Sequence, residues 1–274
     1  MNLMKTYLAV FALLFLITVK TNAQVPEITE NTTTVLGMVL MNKMELMDYP
    51  NIEKDIVSTW DVEKENIDGN DQTISFSVNG ATFLIGFIPA PVPGDELNSA
   101  VEYSYLWKDA RAALRNESHI VIAVVGEESP LDLYKHFTKI TAIILENTNS
   151  MGVYMGNQGL VLSKEFYLEE AATMNDENLP LPLWVYIGMR QNDQGSSVYT
   201  YGLKEFGLKE MEIVNSEKTM EEAFDFIHDA AHYVIAGQVE LNDGETMGMS
   251  EDQKINISIS NGVNLEGQTL KLAY

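Results

Sequence analysis

Apolar residues along the chain fall mainly into two patterns, short alternating or continuous runs that predict strands and a few stretches at helical spacing. The run from Thr33 to Met41 reads as a strand. Asp48 and Pro50 then start a short helix carrying Ile52, Ile56, Val57 and Trp60. Thr73–Val78 alternates at period two, and Asn79-Gly80, a strong hairpin signal, leads into the strand from Ala81 to Ile88. After Pro89-Ala-Pro-Val-Pro-Gly94, a helix is expected over 97–115, with Val101, Leu106, Ala110 and Leu114 along one side and Tyr103 and Trp107 beside them. It feeds the strand from His119 to Val125. The order is β-α-β-β-α-β, the split pattern of a ferredoxin-like module.

Ser129, Pro130 and Asp132 mark the start of the next helix, whose face of Leu133, Phe137, Ile140 and Ile144 suits a sheet. A short strand near Leu160–Leu162 and a short helix to about Ala172 follow. Residues 173–182, with Asn175-Asp-Glu-Asn178 and two prolines, form the best candidate boundary. Beyond it, strands are expected over Leu183–Met189, Ser197–Gly202 and Met211–Val214. Thr219 and Glu222 open a capped helix that stops at Gly237, and strands near Ile255–Ser260 and Leu270–Tyr274 close the chain. The expected fold class is α+β, with a ferredoxin-like N-terminal pattern over 33–174 and a strand-rich module over 183–274. Sheets are expected to be mixed or antiparallel, with helices on one side.

The N-terminus adds a destination. Lys5, an apolar run from Tyr7 to Val19, Lys20, and Ala23 with Thr21 two before it have the layout of a secretory signal, residues 1–23, followed by a polar leader, 24–32. Cleavage after Ala23 removes Lys5 and Lys20, leaving 15 basic and 40 acidic groups and a formal charge of −25 in place of −23. Such a field repels phosphate backbones, which excludes sequence-independent nucleic-acid binding and favours a partner with a basic surface. No later segment is long enough to span a membrane, so a periplasmic or secreted protein is expected. The chain has no cysteine, so disulfides, thiolate nucleophiles, cysteine-held zinc and iron–sulfur clusters are excluded.

Trp184-Val-Tyr-Ile-Gly-Met-Arg190, Tyr199-Thr-Tyr-Gly-Leu-Lys-Glu-Phe-Gly207 and Glu210-Met-Glu-Ile213, followed by the capped helix, Asp243-Gly-Glu-Thr-Met-Gly248 and Gln253-Lys-Ile255, carry a resemblance. Over about the last hundred residues the chain resembles a bacterial family named as domain of unknown function 4261. The resemblance implies a mixed-sheet domain and supplies no catalytic residue.

No catalytic set emerges from the residues themselves. His228 and His232 stand four apart, a spacing that aims two imidazoles at one metal, but Asp229-Ala-Ala231 between them lacks the glutamate of a zinc protease. Phe224, Ile227, Ala231 and Val234 are the expected buried stripe of that helix, with His228 at its margin and His232 toward solvent. Met38, Met41, Met44 and Met47 offer thioethers suited to Cu(I), yet they run from a strand into a loop and read better as core filler. Carboxylate pairs such as Glu127-Glu128 and Glu169-Glu170 are abundant, but a glycosidase needs two acids about 5–9 Å apart across a cleft, and linear order cannot choose them. No cofactor is implied. The leading reading is a non-enzymatic module that binds a protein or small ligand, with Tyr103, Trp107, Tyr199 and Tyr201 as interaction candidates. Tyr199 and Tyr201 share one face of a strand, expected to be the buried one. A carboxylate-based hydrolase of an envelope glycan or peptide, and a metal-binding protein, are the alternatives.

Overall fold

The computed structural model describes residues 32–248 and 254–274; the expected signal segment and the leader to residue 31 lie outside the described residues. The chain forms two compact units, one ending at Thr173 and the other beginning at Met174. Together they make an α+β protein, an antiparallel first sheet followed by a mixed second one.

In the first unit the strands are β1 (Thr33–Met41), β2 (Asp68–Gly69), β3 (Thr73–Val78), β4 (Ala81–Ile88), β5 (Ser118–Gly126), β6 (Ser150–Met155) and β7 (Leu160–Ser163). Helices α1 (Tyr49–Trp60), α2 (Gly94–Tyr103), α3 (Pro130–Glu146) and α4 (Lys164–Thr173) are threaded among them. The expected β-α-β-β-α-β order is present. All pairings are antiparallel, and the sheet runs β2-β3-β4-β5-β1-β6-β7, with β5 between β4 and β1. The hairpin β3–β4 turns on Asn79 and Gly80, both at positive φ (52° and 79°), the backbone twist a tight two-residue connection requires.

Helices cover both faces of this sheet, not one as expected. Leu36, Met38, Leu40, Leu84, Val121 and Ala123 pack against Leu97, Ala100 and Val101 of α2 and against Ala110 and Ala113. On the other face α1 and α3 lie over β1, β4 and β5, with Phe137, Ile140, Ile52 and Ile56 buried. Two-sided burial explains why β1 and β5 are nearly continuous apolar runs.

The single helix expected over 97–115 is in fact α2, an irregular stretch, and a 3-10 turn over Ala110–Arg115. Ser104 donates its hydroxyl to the Val161 carbonyl (2.9 Å), and the Trp107 ring lies against Gly152, within 2.8 Å of where a Cβ would stand. These tethers to β6 and β7 interrupt a sequence whose apolar spacing alone would carry a helix onward.

The second unit contains α5 (Leu181–Trp184), β8 (Tyr186–Asn192), β9 (Gly195–Tyr201), β10 (Met211–Ser216), α6 (Met220–Gly237), β11 (Thr246–Met247), β12 (Ile255–Asn261) and β13 (Gln268–Leu272). The strand expected from Leu183 begins later, because Pro182 sits in the first turn of α5, which buries Leu183 and Trp184. The sheet order is β11-β12-β13-β10-β9-β8, with β10 and β13 parallel and the remaining pairs antiparallel. Helix α6 carries the expected capping box: Thr219 N–H donates to Glu222 (2.9 Å) and Glu222 N–H donates to the Thr219 hydroxyl (3.2 Å). Its buried stripe is Ala223, Phe226, Ile227, Ala230, Ala231, Val234 and Ile235. Phe224, expected in that stripe, is only half-buried and stacks on His228, and Phe226 fills the place by stacking on Tyr274 at 4.1 Å.

Candidate functional site

Helix α6 packs on β8, β9 and β10, where Ile187, Val198, Met211 and Ile213 are buried. Side chains alternate across a sheet, so Tyr186, Tyr199, Tyr201 and Arg190 stand on the opposite face. The expectation that Tyr199 and Tyr201 face the core is therefore corrected. Tyr199 is half-buried and Tyr201 is 40% exposed.

Register assembles this face. Gly188 of β8 lies opposite Tyr199 of β9, Tyr199 opposite Glu212 of β10, Glu212 opposite Lys271 of β13, and Lys271 opposite Ser258 of β12. The Tyr199 ring occupies the space a Cβ on Gly188 would take, so only glycine at 188 lets the ring lie flat on the neighbouring strand. Tyr186 meets Tyr199 edge-on at 6.4 Å, and the Arg190 guanidinium sits 5.9 Å from the Tyr199 ring centre. Beside this aromatic surface, burial and then the carboxylates of Glu210 and Glu205 push the Tyr201 phenol up, which keeps its hydroxyl protonated and able to donate.

Two carboxylates from the segment that carries the family resemblance hold this surface in place. Glu212 is fully buried and accepts from Lys271 Nζ (2.6 Å), Thr269 Oγ1 (2.7 Å), Asn264 N (2.6 Å) and Val263 N (3.0 Å). Burial alone would raise this group, but those donors outweigh it and hold the carboxyl down to about 2. Glu210, also buried, accepts from Thr200 Oγ1 (2.8 Å) and from the backbone N–H groups of Gly202 (2.8 Å), Leu203 (3.3 Å) and Lys204 (3.3 Å). Burial pushes Glu210 above the usual carboxylate range against the pull of these donors. Three successive N–H groups converging on one carboxylate form a backbone nest, and here the anion is the protein's own side chain. Both groups have their hydrogen-bonding capacity taken up by structure.

The remaining candidates are spread over the two units. Tyr103, the last residue of α2, is 67% exposed, and Trp107 is half-buried against Gly152; both belong to the first unit, whereas Tyr199 and Tyr201 belong to the second. His228 and His232 are both half-buried on α6, and the partner of His228 is its neighbour Asp229, 3.4 Å away. Met38, Met41 and Met47 are buried and Met44 is 60% exposed. Among the described residues no three His, Asp or Glu side chains come together as a metal site, and no helix is long and apolar enough to cross a membrane.

Sequence reasoning missed Tyr186, Arg190 and the anchoring role of Glu212. A signal for Glu212 was present: it is an acidic residue inside an otherwise apolar strand, Met211-Glu-Ile-Val214, a position that demands a partner.

These features define the second unit as a mixed sheet with one helical face and an opposite, tyrosine-bearing face that is open over β8 and β9 and closed around Glu212. Residues 199–273, all within that unit, match the family described as Domain of unknown function (DUF4261). The expected resemblance is thus found from Tyr199 onward, and Trp184–Arg190 lies before the matched stretch. No curated protein and no solved structure matches the chain.

Proposed function

We propose that this protein is an exported, non-enzymatic binding module that recognises a basic macromolecular surface through the open face of its second sheet. The observation that carries the reading is the row of Tyr186, Tyr199 and Tyr201, built on regular strands and backed by a saturated carboxylate. Tyrosine offers a large contact area with few rotamers to freeze, and strands hold such groups more firmly than loops. Arg190 over Tyr199 is an internal instance of cation–aromatic contact, and Tyr201, beside Glu205 and Glu210, offers the same chemistry to a partner's lysine or arginine. The formal charge of −23 adds long-range attraction for such a partner. The basic, apolar and small-residue order of residues 1–23 supports delivery to the periplasm or beyond.

One observation favours the hydrolase alternative. Burial, with the nearby Asp132, pushes Glu128 above the ordinary carboxylate range, and this side chain is partly exposed, unlike Glu210. Capture from an envelope extract at low and moderate salt, by the wild type and by Tyr201→Ser, separates the two. Recognition predicts a partner whose retention falls at least tenfold in Tyr201→Ser and weakens with salt. Capture indifferent to Tyr201, together with glycan or peptide turnover abolished by Glu128→Gln, overturns it in favour of hydrolysis.

A further inference from the structure

The first unit holds a cluster that the recognition reading does not use. Trp60, at the end of α1, donates its indole Nε1–H to Nδ1 of His136 on α3 (3.1 Å). On the other side of the imidazole, Nε2 faces Glu128 Oε2 at 3.4 Å, an oxygen that is itself buried and has no closer partner. The indole nitrogen can only donate, so Nδ1 must accept, and the imidazole is fixed as the neutral tautomer with its proton on Nε2, on the side of Glu128 but without a hydrogen bond to it. Adding a second proton puts two N–H groups head to head between Trp60 and His136. That proton and the α1–α3 hydrogen bond are mutually exclusive.

The charges around His136 oppose one another. Glu128, before α3, and Asp132, on α3, favour the imidazolium, while burial and Lys139, also on α3, disfavour it. The sheet contributes the uncharged Phe83, edge-on to the imidazole at 5.6 Å, and α1 contributes the Trp60 donor. Burial first, and then Lys139, bring His136 below the ordinary imidazole range.

Trp60 is also a cover. Its ring lies 5.1 Å from Phe83 and 5.6 Å from Phe76, and those two stack at 4.3 Å on β3 and β4. The rest of α1 has independent anchors: Ile52 and Ile56 are buried, and Asn147, just after α3, donates to Asp55 (2.8 Å). Directly after Trp60 the helix ends at Asp61 (φ 51°), whose N–H closes the last turn on the Val57 carbonyl (2.9 Å), and that turn lies beyond both of these anchors.

We propose that Trp60, His136 and Glu128 form an acid-released clasp, in which protonation of His136 frees the last turn of α1 and uncovers the Phe76–Phe83 pair. By sign, the clasp contributes in full above the ordinary imidazole range and is lost as pH falls through the lower value in the folded protein.

The test is NMR of the full-length mature protein from pH 8 to pH 4.5, following the His136 ring nitrogens, the Trp60 indole N–H and amide exchange of residues 57–60. The wild type should hold the Nε2–H tautomer below the usual imidazole range. On protonation the Trp60 indole resonance should move to its solvent-exposed position, and exchange at 57–60 should rise at least tenfold. Trp60→Phe keeps the aromatic packing but removes the donor, and should shift the His136 titration upward. His136→Gln reproduces one acceptor and one donor without a titrating group, and should abolish the acid-dependent exchange. The proposal is overturned if His136 protonates with the indole resonance unmoved, if Trp60→Phe leaves the titration in place, or if His136→Gln opens with acid as the wild type does.

Discussion

Glu212→Gln tests whether the open face of the second sheet rests on a buried charge. Each carboxylate oxygen faces donors: Oε2 accepts from Lys271, Thr269 and Val263, and Oε1 from Asn264 and Val263. A glutamine amide retains one oxygen, and in either orientation its NH2 points at an N–H, a hydroxyl or an ammonium that also donates. Lys271, whose side chain is 17% exposed, loses its counter-charge. The gap between a carboxyl near 2 and the ordinary glutamate value converts to roughly 3 kcal/mol of stability. Breaking a buried ion pair by removing one partner costs about 3–5 kcal/mol, so the two routes agree. Because the folded value is depressed, this contribution is fully present above the ordinary glutamate value and is lost as pH falls through about 2. Urea unfolding at pH 7, read from NMR intensities of second-unit residues, should show a loss of about 3–4 kcal/mol for Glu212→Gln, shrinking as the pH is taken toward 2. A loss under about 1 kcal/mol, or losses for Glu212→Gln and Lys271→Met that simply add in the double variant, would refute a coupled buried pair.

Gly188→Val should expel the Tyr199 ring from its place on β8, costing roughly 1–3 kcal/mol by overpacking and abolishing the Tyr186–Tyr199 cross-peaks in a NOESY spectrum. Limited digestion with a glutamate-specific protease should cut first at Glu177, in the exposed stretch 175–178, and yield a fragment beginning at Asn178. A first cut inside 33–173 would count against separate N- and C-terminal modules. Elemental analysis followed by titration with zinc and Cu(I) should find no stoichiometric tight site; one zinc lost on either His228→Ala or His232→Ala would reverse that.

What local chemistry settles was legible before any fold was known. Asn79-Gly80 turns the β3–β4 hairpin because its two residues tolerate positive φ, and Thr219 with Glu222 caps α6 because each satisfies the other's free N–H. Strand and helix periods likewise placed most elements, since a period depends only on neighbouring residues. Where a long-range tether competed with the period, the reading failed: Ser104 and Trp107, tied to β7 and β6, break the helix expected over 97–115.

Which face of a strand is covered was a tertiary matter. Alternation put Tyr199 and Tyr201 on one side of β9, but two aromatics look the same to a periodicity argument whether a helix lies over them or not. Only the docking of α6 on Val198, Met211 and Ile213 left the tyrosines on the open side. The charged groups show the same division. Composition made forty carboxylates an undifferentiated excess, and the sequence-distant pairing of β10 with β13 singled out Glu212 by burying it beside Lys271. A buried charge takes its properties from neighbours that the chain brings to it from 59 residues away in one case, and sequence order carries no record of that distance in space.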